Sequence, residues 1–147
     1  MSETLVRERT VSERTIERTV EFDVPMERVW KAITDPAELS KWFGDQTELE
    51  LTVGSHGAMI WDEHGSYAIR VDEVDAPRRF VWSWVHEPGV AFDDAPSTRV
   101  EWTLTRREDG GTTLLLRESG FRSDLHHQQN TDGWTEELAE LSGLLAG

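Results

Sequence analysis

The sequence predicts an α+β fold in which a curved, seven-stranded antiparallel sheet grips a long C-terminal helix, with two short helices after the first strand. Three observations predict it. From Thr47 to Gly120, short runs of alternating apolar and polar residues are separated by turn chemistry, as in a strand meander. Near the C-terminus, Trp134, Leu138, Leu141 and Leu145 follow steps of four, three and four, which makes one apolar stripe on a helix. A meander has one face to bury, and that stripe is the matching surface.

Residues 1–12 alternate only weakly and read as a frayed lead-in or an extension of the first strand, leaving 13–147 as a single domain. From Thr15 onward, Ile16, Val20, Phe22 and Val24 fall on one face and Glu17, Thr19, Glu21 and Asp23 on the other, with Arg18 out of place on the apolar side. Pro25 ends that strand. Val29, Trp30 and Ile33 then keep helical spacing, Asp35-Pro36 breaks the helix, and Leu39, Trp42 and Phe43 mark a second short one closed by Gly44-Asp45. Six strands follow, near 47–53, 57–63, 66–74, 79–86, 98–107 and 112–119. The last helix has two candidate starts. Ser123 as cap gives a long helix that contains Gly133, at a cost of about 1 kcal/mol, whereas Thr131 or Asp132 gives a short one.

Twenty-nine Asp and Glu against fifteen Lys and Arg leave a formal charge of −14 on 147 residues. Residues 1–24 hold six acids and four bases, 25–50 six and three, and 51–147 seventeen and eight, so no segment turns basic. This argues against nucleic acid and anionic membrane as partners. No run of eighteen apolar residues and no charged-then-apolar leader is present, so the chain reads as cytoplasmic. The absence of cysteine removes disulfides, Cys-ligated zinc and thiol catalysis. Only 37% of the residues are apolar, yet seven are Trp and five Phe against one Tyr, so the core must be built from few, large side chains.

The run Val24-Pro25-Met26-Glu27-Arg28-Val29-Trp30-Lys31-Ala32-Ile33-Thr34-Asp35-Pro36, continued by Leu39, Lys41, Trp42 and Phe43, resembles the opening of the START-like, Bet v-type (SRPBCC) superfamily. More narrowly it resembles the branch named after the activator of the ninety-kilodalton heat-shock protein's ATPase. Pro77-Arg78-Arg79-Phe80-Val81-Trp82-Ser83-Trp84, Glu118-Ser119-Gly120-Phe121, and Gly133-Trp134 leading into Leu138, Leu141 and Leu144 match in the same order, so the resemblance covers 16–146. It implies the helix-grip fold. It leaves function open among ligand carriers, enzymes and co-chaperone modules, because fold does not fix function.

The aromatic residues admit two readings. Strand alternation groups Phe80, Trp82, Trp84 and His86 on one face, Val100, Trp102 and Leu104 on another, Met59 with Trp61, Tyr67 with Ile69 and Val71, and Leu114 and Leu116 with Glu118. These side chains either fill the space beneath the helix, each aromatic burying about 150–250 Å², or wall a cavity for a small hydrophobic or aromatic ligand. On the second reading the binding residues are Met59, Trp61, Tyr67, Trp82, Trp84, Trp102, Leu114, Leu116, Glu118, His127, Thr131, Trp134 and Leu138. Glu118 is the sharpest of them, since a carboxylate on an apolar face needs an Arg partner, a ligand to anchor, or water where the strand frays.

No His-x-x-x-His or Glu-x-x-His pair is present, so no metal or other cofactor is expected. No Gly-x-Ser-x-Gly or phosphate-cradling loop supports nucleophilic catalysis. Acid–base work by Glu118, His86 or His127 stays open. The leading expectation is therefore a module that binds a small hydrophobic molecule, with a cyclase-, dehydratase- or hydrolase-type enzyme and a co-chaperone-like interaction module as alternatives. A homodimer through an edge strand or helix fits any of the three.

Overall fold

Pairing of strands distant in sequence defines the architecture. The computed structural model describes the backbone of residues 6–9 and the whole of residues 15–146. The elements run β1 (Val6–Arg9), β2 (Ile16–Phe22), α1 (Met26–Thr34), α2 (Pro36–Trp42), β3 (Gln46–Glu48), β4 (His56–Trp61), β5 (Gly65–Asp75), β6 (Arg79–Val85), β7 (Ser97–Arg106), β8 (Thr112–Ser119) and α3 (Asp124–Ala146), with a 3-10 turn at Phe92–Asp94. One antiparallel sheet has the order β1-β2-β8-β7-β6-β5-β4-β3. The seven expected strands are all present, and Val6–Arg9 adds an eighth at the edge by pairing with β2. The rest of the 1–12 segment lies outside the described residues.

Local sequence chemistry accounts for the helices. Asp35 serves both: its backbone N–H closes α1 on Lys31, and its Oδ1 accepts from Ala37 N at 3.0 Å to cap α2, with Pro36 preset at the first helical position. For α3 the longer alternative holds. Ser123 Oγ accepts from His126 N at 3.1 Å, so the helix starts at Asp124 and carries Gly133 in its interior. Its buried residues are Trp134, Leu138, Leu141 and Leu145, the stripe read from the spacing.

Two strands depart from their expected form. The strand expected over 47–53 is only Gln46–Glu48, because the following loop turns onto β5 instead, with Gly54 N donating to Val71 O at 2.7 Å and Val71 N to Ser55 O at 2.8 Å. In β5 the register shifts between Val71 and Glu73. That bulge lets Val71 and Val74 both face inward while Glu73 turns outward onto Arg79 at 2.8 Å. The outer face is a lattice of ion pairs, with Arg79 also reaching Glu101 at 2.8 Å and Arg117 reaching Glu101 at 3.2 Å.

The inner face packs on α1, α2 and α3. Trp82, Trp102, Phe80, Met59, Leu114, Leu116 and Leu141 are fully buried, each such side chain contributing about 1.5–3 kcal/mol. Gly44, just after α2, has φ +76°, and a Cβ there would meet Ile60 O at 3.0 Å. That close passage seats Phe43 among the rings of Trp61, Trp84 and Trp134.

Candidate functional site

Where α3 leaves the end of the sheet formed by β4, β5 and β6, a cleft of about 570 Å³ opens between helix and strands. Phe43, Trp61, Tyr67, Trp84 and Trp134 supply its aromatic walls, and His86, Asn130, Asp132, Glu136 and Glu137 its polar groups. The rings form one connected assembly. Phe43 stacks on Trp134 with centroids 5.4 Å apart and on Trp84 at 5.6 Å, and Trp61 meets Tyr67 edge-on at 5.6 Å.

Beneath this wall lies Glu118, with 0% exposure. Among the described residues it has no Lys or Arg partner. Its charge is met by dipoles instead: Trp134 Nε1 donates to Oε1 at 2.7 Å, Trp84 Nε1 to Oε2 at 2.8 Å, Thr98 Oγ1 to Oε2 at 2.5 Å, and Asn130 Nδ2 to both oxygens at 2.9 and 3.0 Å. Burial pushes the Glu118 pKa up, opposed by the hydrogen bonds from Thr98, Trp84, Asn130 and Trp134. Three of these four donors line the cleft, so the buried carboxyl fixes the orientation of its floor.

Thr98 extends the set outward, because its Oγ1 lies 2.7 Å from His86 Nε2. Trp and amide N–H groups only donate, so Thr98 Oγ1 is the partner that can accept a proton from a neutral Glu118. In that state the Thr98 hydroxyl turns its hydrogen to His86 Nε2. When Glu118 is ionised, the Thr98 hydroxyl donates to it and His86 Nε2–H donates to Thr98. Burial, and secondarily His126, pulls the His86 pKa down from 6.5 to about 4, so the imidazole on the cleft wall is neutral at pH 7. The arrangement is a three-member relay from a buried carboxyl to the cleft.

The thirteen residues expected to bind divide into three groups. Trp61, Tyr67, Trp84 and Trp134 line the cleft, and Glu118 lies directly under it. Met59, Trp82, Trp102, Leu114, Leu116 and Leu138 do not line it: they are 0–1% exposed in the packed core between the sheet and the helices, with Trp42 against Trp102 and Phe43 against Trp82. His127 and Thr131 turn away, His127 toward Thr15 O at 3.4 Å and Thr131 back onto His127 O at 2.7 Å. The aromatics therefore divide between the packed core and the wall of the cleft.

Other lining groups were absent from the expected set, among them Phe43, His86, Asn130 and Glu137. Glu137 was within reach of the helical pattern, since it sits three positions after Trp134 on the same flank. Its pKa is raised to about 7, first by burial and then by Glu140 and Glu136, with Trp61 opposing. Among the described residues no group of three His, Asp or Glu side chains could hold a metal ion, and no helix is long and apolar enough to cross a membrane.

A family model described as Activator of Hsp90 ATPase homolog 1-like protein matches residues 23–146. Among curated proteins no relative matches. DynU16, a protein in the dynemicin biosynthetic locus, is 25% identical with a TM-score of 0.78 over 92% of this chain and 48% of its own. The chain thus spans about half the length of that protein. CalU16 from Micromonospora echinospora is 28% identical, with a TM-score of 0.73 over 97% of this chain and 84% of its own. The Aha1 dimer from Colwellia psychrerythraea, at 17% identity and a TM-score of 0.74 over 89% and 95%, shares the fold alone.

Proposed function

The chain belongs to the Activator of Hsp90 ATPase homolog 1-like family, and within it we propose that this protein binds a small, largely aromatic molecule in the cleft between sheet and α3. One observation carries the reading: a 570 Å³ cleft, within the roughly 300–1,000 Å³ typical of small-molecule sites, has five aromatic rings in its walls. Phe43, Trp84 and Trp134 are already buried by the protein, so the apolar surface left for a ligand to cover is chiefly that of the half-buried Trp61 and Tyr67. The likeness to DynU16 lends support, since a biosynthetic locus is a setting for small-molecule chemistry.

The test uses Gly133, which lines the cleft and has open space around it, so that a side chain there projects into the opening without displacing a neighbour. In calorimetry with 2-naphthylmethanol, the wild-type protein binds and Gly133→Phe does not, while both unfold at the same urea concentration or the variant slightly later. Equal binding by both proteins would remove the cleft as the site. Native mass spectrometry of the purified protein reads any co-purified small molecule together with the subunit count, and so also tests a homodimer.

The relay from Glu118 through Thr98 to His86 favours a second reading, an enzyme that moves a proton on the bound molecule. His86→Ala separates the two: a binding module keeps its affinity within a few-fold, and an enzyme keeps its affinity but loses turnover.

A further inference from the structure

Building on the reading of the cleft as an aromatic ligand site, we infer that the molecule it takes is a cation: a small organic ammonium ion with an apolar or aromatic body. The charges around the cleft are of one sign. Asp132, Glu136 and Glu137 line it from α3, and no Lys or Arg does among the described residues. Glu137 is the informative one, because the Trp61 indole is the one donor that reaches its carboxyl among the described residues, and its Oε2 is shielded from solvent without a hydrogen-bond partner. A buried carboxylate oxygen without a donor is costly, and a ligand N–H or ammonium group at the cleft wall supplies what is lacking.

The aromatic walls point the same way. Trp61, half-buried at the cleft wall beside Glu137, meets Trp84 with centroids 6.2 Å apart and planes inclined at 52°, so indole rings border the carboxylate. Indole faces are the strongest side-chain partners of ammonium groups, and their attraction grows as water is excluded. A neutral aromatic molecule would use the rings but leave Glu137 Oε2 unmet. An anion would face three carboxylates.

Three probes of closely similar shape test the inference by calorimetry: (2-naphthylmethyl)ammonium, 2-naphthylmethanol and 2-naphthoate. The cation binds about tenfold or more tighter than the alcohol, and the carboxylate weakest. Glu137→Gln weakens the cation by about tenfold while leaving the alcohol within about twofold, which also shows that the variant is folded. Glu137 is faced by Glu136 and Glu140 on its own helix, by Asp45 after α2 and by Trp61 on β4, and it titrates near pH 7. Binding of the cation therefore tightens between pH 6 and pH 8 in the wild-type protein and stays flat in the variant. If the alcohol binds as well as the cation, the inference is overturned and the cleft remains an aromatic site. If none of the three binds, the underlying reading falls as well.

Discussion

Trp134 on α3 donates its indole N–H to Glu118 on β8 at 2.7 Å, and this bond joins helix and sheet beneath the cleft floor. A carboxyl in this position is held by geometry rather than by a counter-charge. The four donors come from three elements: β6 gives Trp84, β7 gives Thr98, and α3 gives Asn130 and Trp134. Removing the acceptor would leave the buried indole N–H groups of Trp84 and Trp134 unmet.

Glu118→Gln tests that dependence. The amide keeps one acceptor oxygen, but its NH2 meets the Trp84 indole N–H, which only donates, beside Thr98 Oγ1, so stability falls by about 1–3 kcal/mol. Glu118→Leu leaves both indole N–H groups unmet and falls further. Urea unfolding at pH 7 reads both, and a neutral effect of Glu118→Gln would show that the carboxyl is already bound as an acid whose proton replaces that of the amide.

His86 gives a pH effect of defined sign. Its folded-state pKa is depressed from 6.5 to about 4, so the native state binds fewer protons than the unfolded chain between these values. The contribution to stability is complete above pH 6.5 and is lost as pH falls toward 4, on the order of 2–3 kcal/mol in all. His86→Asn removes that component. The difference between wild-type and variant stability therefore narrows from pH 7 to pH 4.5 in urea melts, and parallel curves would contradict the depressed value.

Glu137 acts with the opposite sign. Its pKa is raised from 4.5 to about 7, so the native state holds the proton more tightly and stability declines as pH rises through that interval. Because the side chain is partly exposed, solvent screening reduces the effect to on the order of 1 kcal/mol. Glu137→Gln stabilises the ligand-free protein by about that amount at pH 8 and by nothing at pH 4. Thermal melts at the two pH values check it.

The strand faces were legible in the sequence because alternation has a period of two wherever one side is buried. Phe80, Trp82 and Trp84 point inward together, as do Leu114, Leu116 and Glu118. Periodicity says which face a side chain takes but not how far along the strand the helix covers it. Trp82 and Trp84 share a face, yet only Trp84 reaches the cleft. That distinction depends on where α3 crosses, which rests on Ser123 as the cap, one of two candidates. Arg7 and Arg9 hid β1, since an edge strand needs no apolar face. The donors around Glu118 lie 12 to 34 positions away in the chain, beyond any local pattern.

Indole N–H resonances test the central claim most directly, because the seven Trp residues report separately on cleft and core. In a 15N-labelled sample titrated with (2-naphthylmethyl)ammonium and then with 2-naphthylmethanol, the account predicts that the Trp61, Trp84 and Trp134 signals move with saturation. Those of Trp82 and Trp102, fully buried in the packed core, stay in place. Saturable shifts confined to Trp82 and Trp102, or no saturable shift with either probe, would contradict a ligand site between the sheet and α3.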